Sequence, residues 1–381
     1  PDTVDKLITI VKRSPDRDKD LKTCALTALG MMRDNERREE IINFLIQLMA
    51  DEKLDPIIKA TVPTSLGKLG DPVALSTIVK HFKKEKQDNY ILQSCAIAMG
   101  LLANIEDKEV IDLLMKYIKD GKNDQARHFS YIAIAQIGAR DTEPEKHQDM
   151  QKKVSTFFLK EIVKPAKITH QPWAAIAGAI HAQKHEAFQP GVIDKVSELF
   201  EKNKNPSYRA AMAVALGLLN ANKQAKMLHD ELNQTKDKSL QGYICVALGL
   251  MNYNAAAEDI RKIAATEVAN FRLRLQSATA LGLMGDTEAV AILVKALKDG
   301  GTLSVTSSAA KALGLIGDVS AITPLREILD DSNANKLARA FAAVALGIVG
   351  EKSDLPWNSV VSENNNYRAK VEAISEVLDI L

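Results

Sequence analysis

At 381 residues, with 46% hydrophobic, 26% charged and only 5% aromatic residues, the chain is composed like a globular or repeat protein, which excludes a disordered or collagen-like one. Fifty Lys plus Arg against 49 Asp plus Glu leave a net charge of +1, which argues against a dedicated nucleic-acid binder. Length alone allows two or three domains. The opening Pro1-Asp2-Thr3-Val4 lacks the charged and apolar regions of a signal peptide, and it also lacks an initiator Met. The compartment therefore stays open, since a leader is compatible with such a start. No window holds enough consecutive apolar residues to predict a transmembrane helix.

In chain order, one short phrase recurs. It is first seen as Ala28-Leu29-Gly30, followed by an amphipathic helix with Ile41, Ile42, Leu45, Ile46 and Met49 on one face. Ser65-Leu66-Gly67-Lys68-Leu69-Gly70-Asp71 repeats it, then Ala98-Met99-Gly100. Two degenerate copies follow, Ile134-Ala135-Gln136-Ile137-Gly138 and Ile176-Ala177-Gly178. The phrase returns at Ala215-Leu216-Gly217, Ala247-Leu248-Gly249, Ala280 to Asp286, Ala312 to Asp318 and Ala345-Leu346-Gly347. Anchors at 30, 67, 100, 135, 178, 217, 249, 282, 314 and 347 make ten copies. The C-terminal half keeps a period of 32–33 residues, whereas the middle carries insertions.

Each copy predicts two helices: a small-residue helix that ends in the phrase, and an amphipathic helix after it, such as Val290, Leu293, Val294, Leu297 or Ile322, Leu325, Ile328, Leu329. Gly inside a helix costs about 1 kcal/mol relative to Ala, so its recurrence points to close helix–helix approach, extended by the Ala two positions earlier. The second Gly suits a left-handed helix end, and the Asp after it a cap for the next helix. Cys24, Cys95 and Cys245, far apart in apolar helical stretches, read as buried small hydrophobes rather than a disulfide or metal set.

The phrases Ala280 to Asp286 and Ala312 to Asp318 resemble the HEAT family in its short form, that of the bilin-lyase-like (PBS lyase) repeats, and the likeness runs over nearly the whole chain. An ankyrin-like Thr323-Pro324-Leu325-Arg326 occurs once only, and two Trp are too few for tetratricopeptide repeats. The resemblance implies an all-α fold, a right-handed α-solenoid of about ten two-helix repeats. It would span residues 1–350 as one domain, with a longer, irregular unit around 139–190 and a capping segment at 351–381.

Departures from the repeat mark candidate sites. Ala139 to His147 reads as a loop, and residues 151–184 hold Lys152, Lys153, Lys160, Lys164, Lys167 and Lys184 against Glu161 alone. His147, His170, His181 and His185 lie in or beside this segment, with Trp173 after Pro172. Three readings stand open: a solvated helix face, a docking patch with Trp173 as aromatic anchor and the lysines facing an acidic partner, or a metal site at His181 and His185, spaced i, i+4. Trp357 and the final helix form a cap or a second docking point. A basic stripe also stands eight positions before each anchor, at Lys22, Lys59, Arg127, Arg209, Arg274 and Arg339, interrupted by Leu92, His170, Gln241 and Thr306. It reads either as a ladder of donors to the preceding turn or as a rail for an acidic partner.

Phosphate loops, dinucleotide fingerprints and nucleophile elbows are missing from the sequence. Of the His-Glu pairs that deoxyhypusine hydroxylase uses for iron, only His185-Glu186 occurs. The expectation is therefore a non-enzymatic scaffold with protein partners, an accessory or organising subunit of a larger assembly, with neither cofactor nor metal. The alternative is a bilin-lyase-like or other ligand-handling enzyme with its site at Trp173 and the nearby histidines.

Overall fold

The computed structural model describes residues 2–15, 17–84, 88–266, 270–299 and 303–350. Among them stand twenty α-helices, five short 3-10 turns and no strand. The helices pair in chain order. The first five pairs are α1 (Thr3–Arg13) with α2 (Lys19–Gly30), α3 (Arg38–Ala50) with α4 (Pro56–Leu69), α5 (Leu75–Phe82) with α6 (Asn89–Leu102), α7 (Lys108–Asp120) with α8 (Asp124–Ala139), and α9 (Gln148–Val163) with α10 (Gln171–Ala182). The next five are α11 (Gln189–Lys202) with α12 (Pro206–Leu218), α13 (Asn222–Gln234) with α14 (Lys238–Leu250), α15 (Ala257–Thr266) with α16 (Phe271–Met284), α17 (Val290–Lys298) with α18 (Leu303–Ile316), and α19 (Ile322–Asp330) with α20 (Lys336–Gly350). These described residues fall into two compact units, one ending at Phe188 and the other beginning at Gln189, with five pairs in each. The capping segment expected at 351–381, including Trp357, lies outside the described residues.

Within each unit the second helices stack on one another: α2 on α4, α6, α8 and α10 in turn, and α12 on α14, α16, α18 and α20. They are buried along most of their length, as the unbroken run from Ile91 to Gly100 in α6 shows. The first helices bury only a stripe, such as Ile41, Ile42, Leu45 and Met49 of α3, because the amphipathic period leaves their other face to solvent.

The glycines explain the stack. A Cβ built on Gly217 or Gly249 would lie 2.8 Å from the Cα of Ala247 or Ala280, one on Gly100 2.8 Å from that of Ala133, and one on Gly30 2.7 Å from that of Ser65. The Gly of one repeat therefore faces the small residue two places before the anchor of the next. The small residue serves the preceding repeat, and this matched pair brings the backbones of neighbouring helices together.

The second Gly adopts the left-handed conformation at Gly70 (φ 70°), Gly285 (φ 63°) and Gly317 (φ 64°), while Asn220 (φ 49°) and Asn252 (φ 50°) take that place in the sixth and seventh pairs. Asn tolerates this region better than other side chains. The carboxylates of Asp71, Asp286 and Asp318 accept from the N–H groups of Val73, Glu288 and Ser320. Each caps a 3-10 turn that leads into the following helix.

Cys95 and Cys245 are buried, and desolvation pushes the Cys245 thiol up to about 12. Cys24 departs from expectation and is exposed. It lies on α2, the first of the stacked helices described.

Candidate functional site

At Lys59, Arg127, Arg209 and Arg339 the basic stripe is a ladder of donors to helix ends, whereas the buried Nε of Arg274 has no hydrogen-bond partner among the described residues. Lys59 Nζ donates to the Asp51 carbonyl at 2.6 Å, and Arg127 donates to Ile118 (Nε, 2.6 Å) and Lys119 (Nη2, 2.8 Å). Arg209 Nε donates to Phe200 at 3.0 Å and Arg339 Nε to Leu329 at 2.9 Å. Gln241 does the same for Leu232 at 3.3 Å, and in the fifth pair Gln171, next to the expected His170, reaches Ile162 at 2.9 Å. These carbonyls belong to the last turn or cap of the first helix, where C=O groups lack intrahelical partners. A cation near the N-terminus of its own helix thus sits at the negative end of the preceding one. Burial and nearby Lys84 push the Lys59 ammonium below its ordinary value. Arg209 also pairs with Glu231, Nη1 to Oε1 at 2.6 Å.

The irregular segment separates into a core part and a surface part. Trp173, expected as an exposed anchor, is only 2% exposed. Its indole stacks on His128 with centroids 4.7 Å apart and meets Phe129 edge-on. The small residues around it on α10 leave the room that the ring fills, so Trp173 is a core residue. His170 and His181 are buried as well, and neither belongs to a surface patch. His185 is half-buried.

His181 Nε2 lies 3.0 Å from Ser155 Oγ, and His185 Nε2 lies 3.2 Å from the Gly138 carbonyl, with the two rings 4.3 Å apart. Gly138 makes room for this pair, because a Cβ there would fall 2.5 Å from His181 Nδ1. Desolvation pushes His181 and His128 down to about 3 and His170 to about 4. Among the described residues, no three His, Cys, Asp or Glu side chains gather as metal ligands. Glu161, the one acid of the segment, is buried and accepts from Tyr131 OH at 2.7 Å and from the Ala166 N–H at 3.2 Å. The outward charge of the segment is therefore wholly basic.

Lys152, Lys153, Lys160, Lys164 and Lys167 are all exposed. Lys160, Lys164 and Lys167 stand at the end of α9, and the ends of α5 and α7 carry exposed lysines too: Lys83 and Lys84, then Lys116, Lys119 and Lys122. Lys84 to Glu52 (3.9 Å), Lys153 to Asp112 and Lys167 to Asp124 (2.7 Å) form ion pairs between neighbouring repeats. Lys83, Lys116, Lys119, Lys122, Lys160 and Lys164 make none among the described residues. Val163 and Ile168, 54% and 62% exposed, lie among the lysines of the fifth pair. The contributions of α5 and α7 were missed in the sequence. Their signal is the return of Lys at successive first-helix ends, which a search for the most basic window passes over. A cleft of about 500 Å³ opens between the corners of the third and fourth pairs.

No curated protein matches this sequence. The model of the HEAT repeats matches residues 263–347. Among solved structures, human deoxyhypusine hydroxylase is similar at 18% identity and a TM-score of 0.30, covering 82% of this chain and 97% of that one. The Escherichia coli protein YibA is similar at 12% identity and a TM-score of 0.37, covering 84% and 95%. The karyopherin Kap121p is similar at 12% identity and a TM-score of 0.47, covering 99% of this chain but 46% of its own. Residues 263–347 carry HEAT repeats, and the helix pairs before them are built on the same phrase.

Proposed function

We propose that this chain is a non-enzymatic protein-interaction scaffold, an accessory subunit that organises a larger assembly, and that the basic edge of its first unit docks an acidic protein surface. The observation that supports this most is the row of eight exposed lysines at the helix ends of three successive repeats, six of them without an ion pair among the described residues. Unpaired charge of one sign steers an oppositely charged partner, and the exposed Val163 and Ile168 supply apolar contact beside it. The ligand-handling alternative placed its site at Trp173 and the neighbouring histidines, but His128 packs on that indole and His181 packs against His185.

The test is crosslinking pulldown from native extract with the wild type and with Lys160→Glu/Lys164→Glu. Both positions are exposed, so the variant should keep its thermal midpoint. It should lose its acidic partner, and the wild type should lose the same partner as salt is raised. A partner retained by the charge-reversed protein overturns this reading.

A further inference from the structure

The cleft between the third and fourth pairs coincides with a break in the donor ladder. Arg127, Arg209 and Arg339 each lay a guanidinium across the end of the preceding helix. The same register position in the third pair is Leu92, whose short apolar side chain lines the cleft instead. Phe82 and Tyr117 form its aromatic part, with ring centroids 4.6 Å apart, and Leu113 extends the apolar lining. Gly121 lets the Tyr117 ring lie against the loop, since a Cβ there would fall 2.6 Å from its Cε1. The four lysines of the lining, Lys83, Lys84, Lys116 and Lys122, are all exposed, and Asp120 is its single acid among the described residues.

We propose that this cleft binds an extended acidic peptide segment of a partner protein, one that carries an aromatic side chain between its carboxylates. The aromatic group lies against Phe82, Tyr117 and Leu92, and the carboxylates meet the lysines. The volume, about 500 Å³, lies within the range of binding pockets. Paired apolar and basic linings select a segment of matching pattern over a uniformly charged one. The proposal rests on the scaffold reading above and adds a specific site to it.

The decisive variant is Leu92→Arg. It installs the donor that other repeats carry, and it fills the cleft while adding a positive charge. Simple charge attraction would strengthen, whereas binding in the cleft would weaken. The probe is a fluorescein-labelled peptide with a central Phe between two runs of Glu, read by fluorescence anisotropy on the full chain. A companion probe has Ala in place of Phe. The Phe probe should bind about tenfold tighter than the Ala probe, and Leu92→Arg should weaken the Phe probe by about tenfold. Lys116→Glu/Lys122→Glu, both exposed, should weaken it as much and serves as a second variant should Leu92→Arg disturb folding. Equal binding of the two probes, no binding by the wild type, or no effect of Leu92→Arg in a folded protein overturns the proposal. A thymidine oligonucleotide that competes as well as the Phe probe overturns it too. If the peptide fails while Lys160→Glu/Lys164→Glu still abolishes partner capture, the cleft falls and the scaffold reading stands. The opposite pattern leaves the cleft and removes the α9 lysines from the docking face.

Discussion

Burial holds His81, His128, His170 and His181 neutral, pushing them down to about 4, 3, 4 and 3. In the unfolded chain each would titrate near its ordinary value of about 6.5. As pH falls below that value the unfolded state takes up protons that the folded state refuses, so stability present above pH 6.5 is lost on acidification. At pH 5 each fully buried ring costs about 2 kcal/mol, with the loss growing until its folded value is reached. Urea unfolding at pH 7.5 and pH 5 should show this slope, and His181→Gln should flatten it. His147 runs the other way. Its hydrogen bond to Asp141 raises it, so its contribution is complete below pH 6.5 and fades as pH rises through the higher folded value. At this scale the sequence was a partial guide. The histidines and Trp173 stood out by type, but whether a side chain points into a core depends on the space its neighbours leave, and a repeat of small residues leaves enough for an indole.

The helix pairs themselves were legible, because apolar period, Gly and capping Asp all favour the same boundaries. The pairing of a Gly with the Ala of the next repeat was half legible: small residues announce close approach without saying which helix approaches. Gly217→Ala tests the contact. Helix propensity favours it by about 1 kcal/mol, yet the new methyl would meet the Ala247 backbone at 2.8 Å, and overpacking costs about 1–3 kcal/mol. The expected outcome is net destabilisation in denaturant melts. Gly347→Ala, with nothing within 4 Å of its added carbon among the described residues, should be neutral or stabilise by up to about 1 kcal/mol. The ladder gives a third test. Arg209→Met removes the donor to Phe200 and the partner of Glu231, at an expected cost of about 1–3 kcal/mol in the same assay.

Over the whole molecule, a net charge of +1 concealed a basic edge, since the lysines gather at helix ends in the first unit while the acids are spread through the chain. The ladder break at Leu92 was visible as a letter, but the cleft it leaves depends on two neighbouring repeats together. Residues up to Phe188 form a compact unit with its own stacked core, so a fragment of residues 1–188 should remain helical by circular dichroism and unfold cooperatively. The matched glycines of the second unit carry a further implication. Gly217, Gly249 and Gly282 meet Ala247, Ala280 and Ala312 through near-identical contacts. Excising residues 218–249 would set Gly217 against Ala280 and restore the run into Leu250 and Met251, with no new junction to invent. Length in this protein is in effect a copy number: duplication or loss of one unit changes the span of surface on offer while leaving every joint as it was.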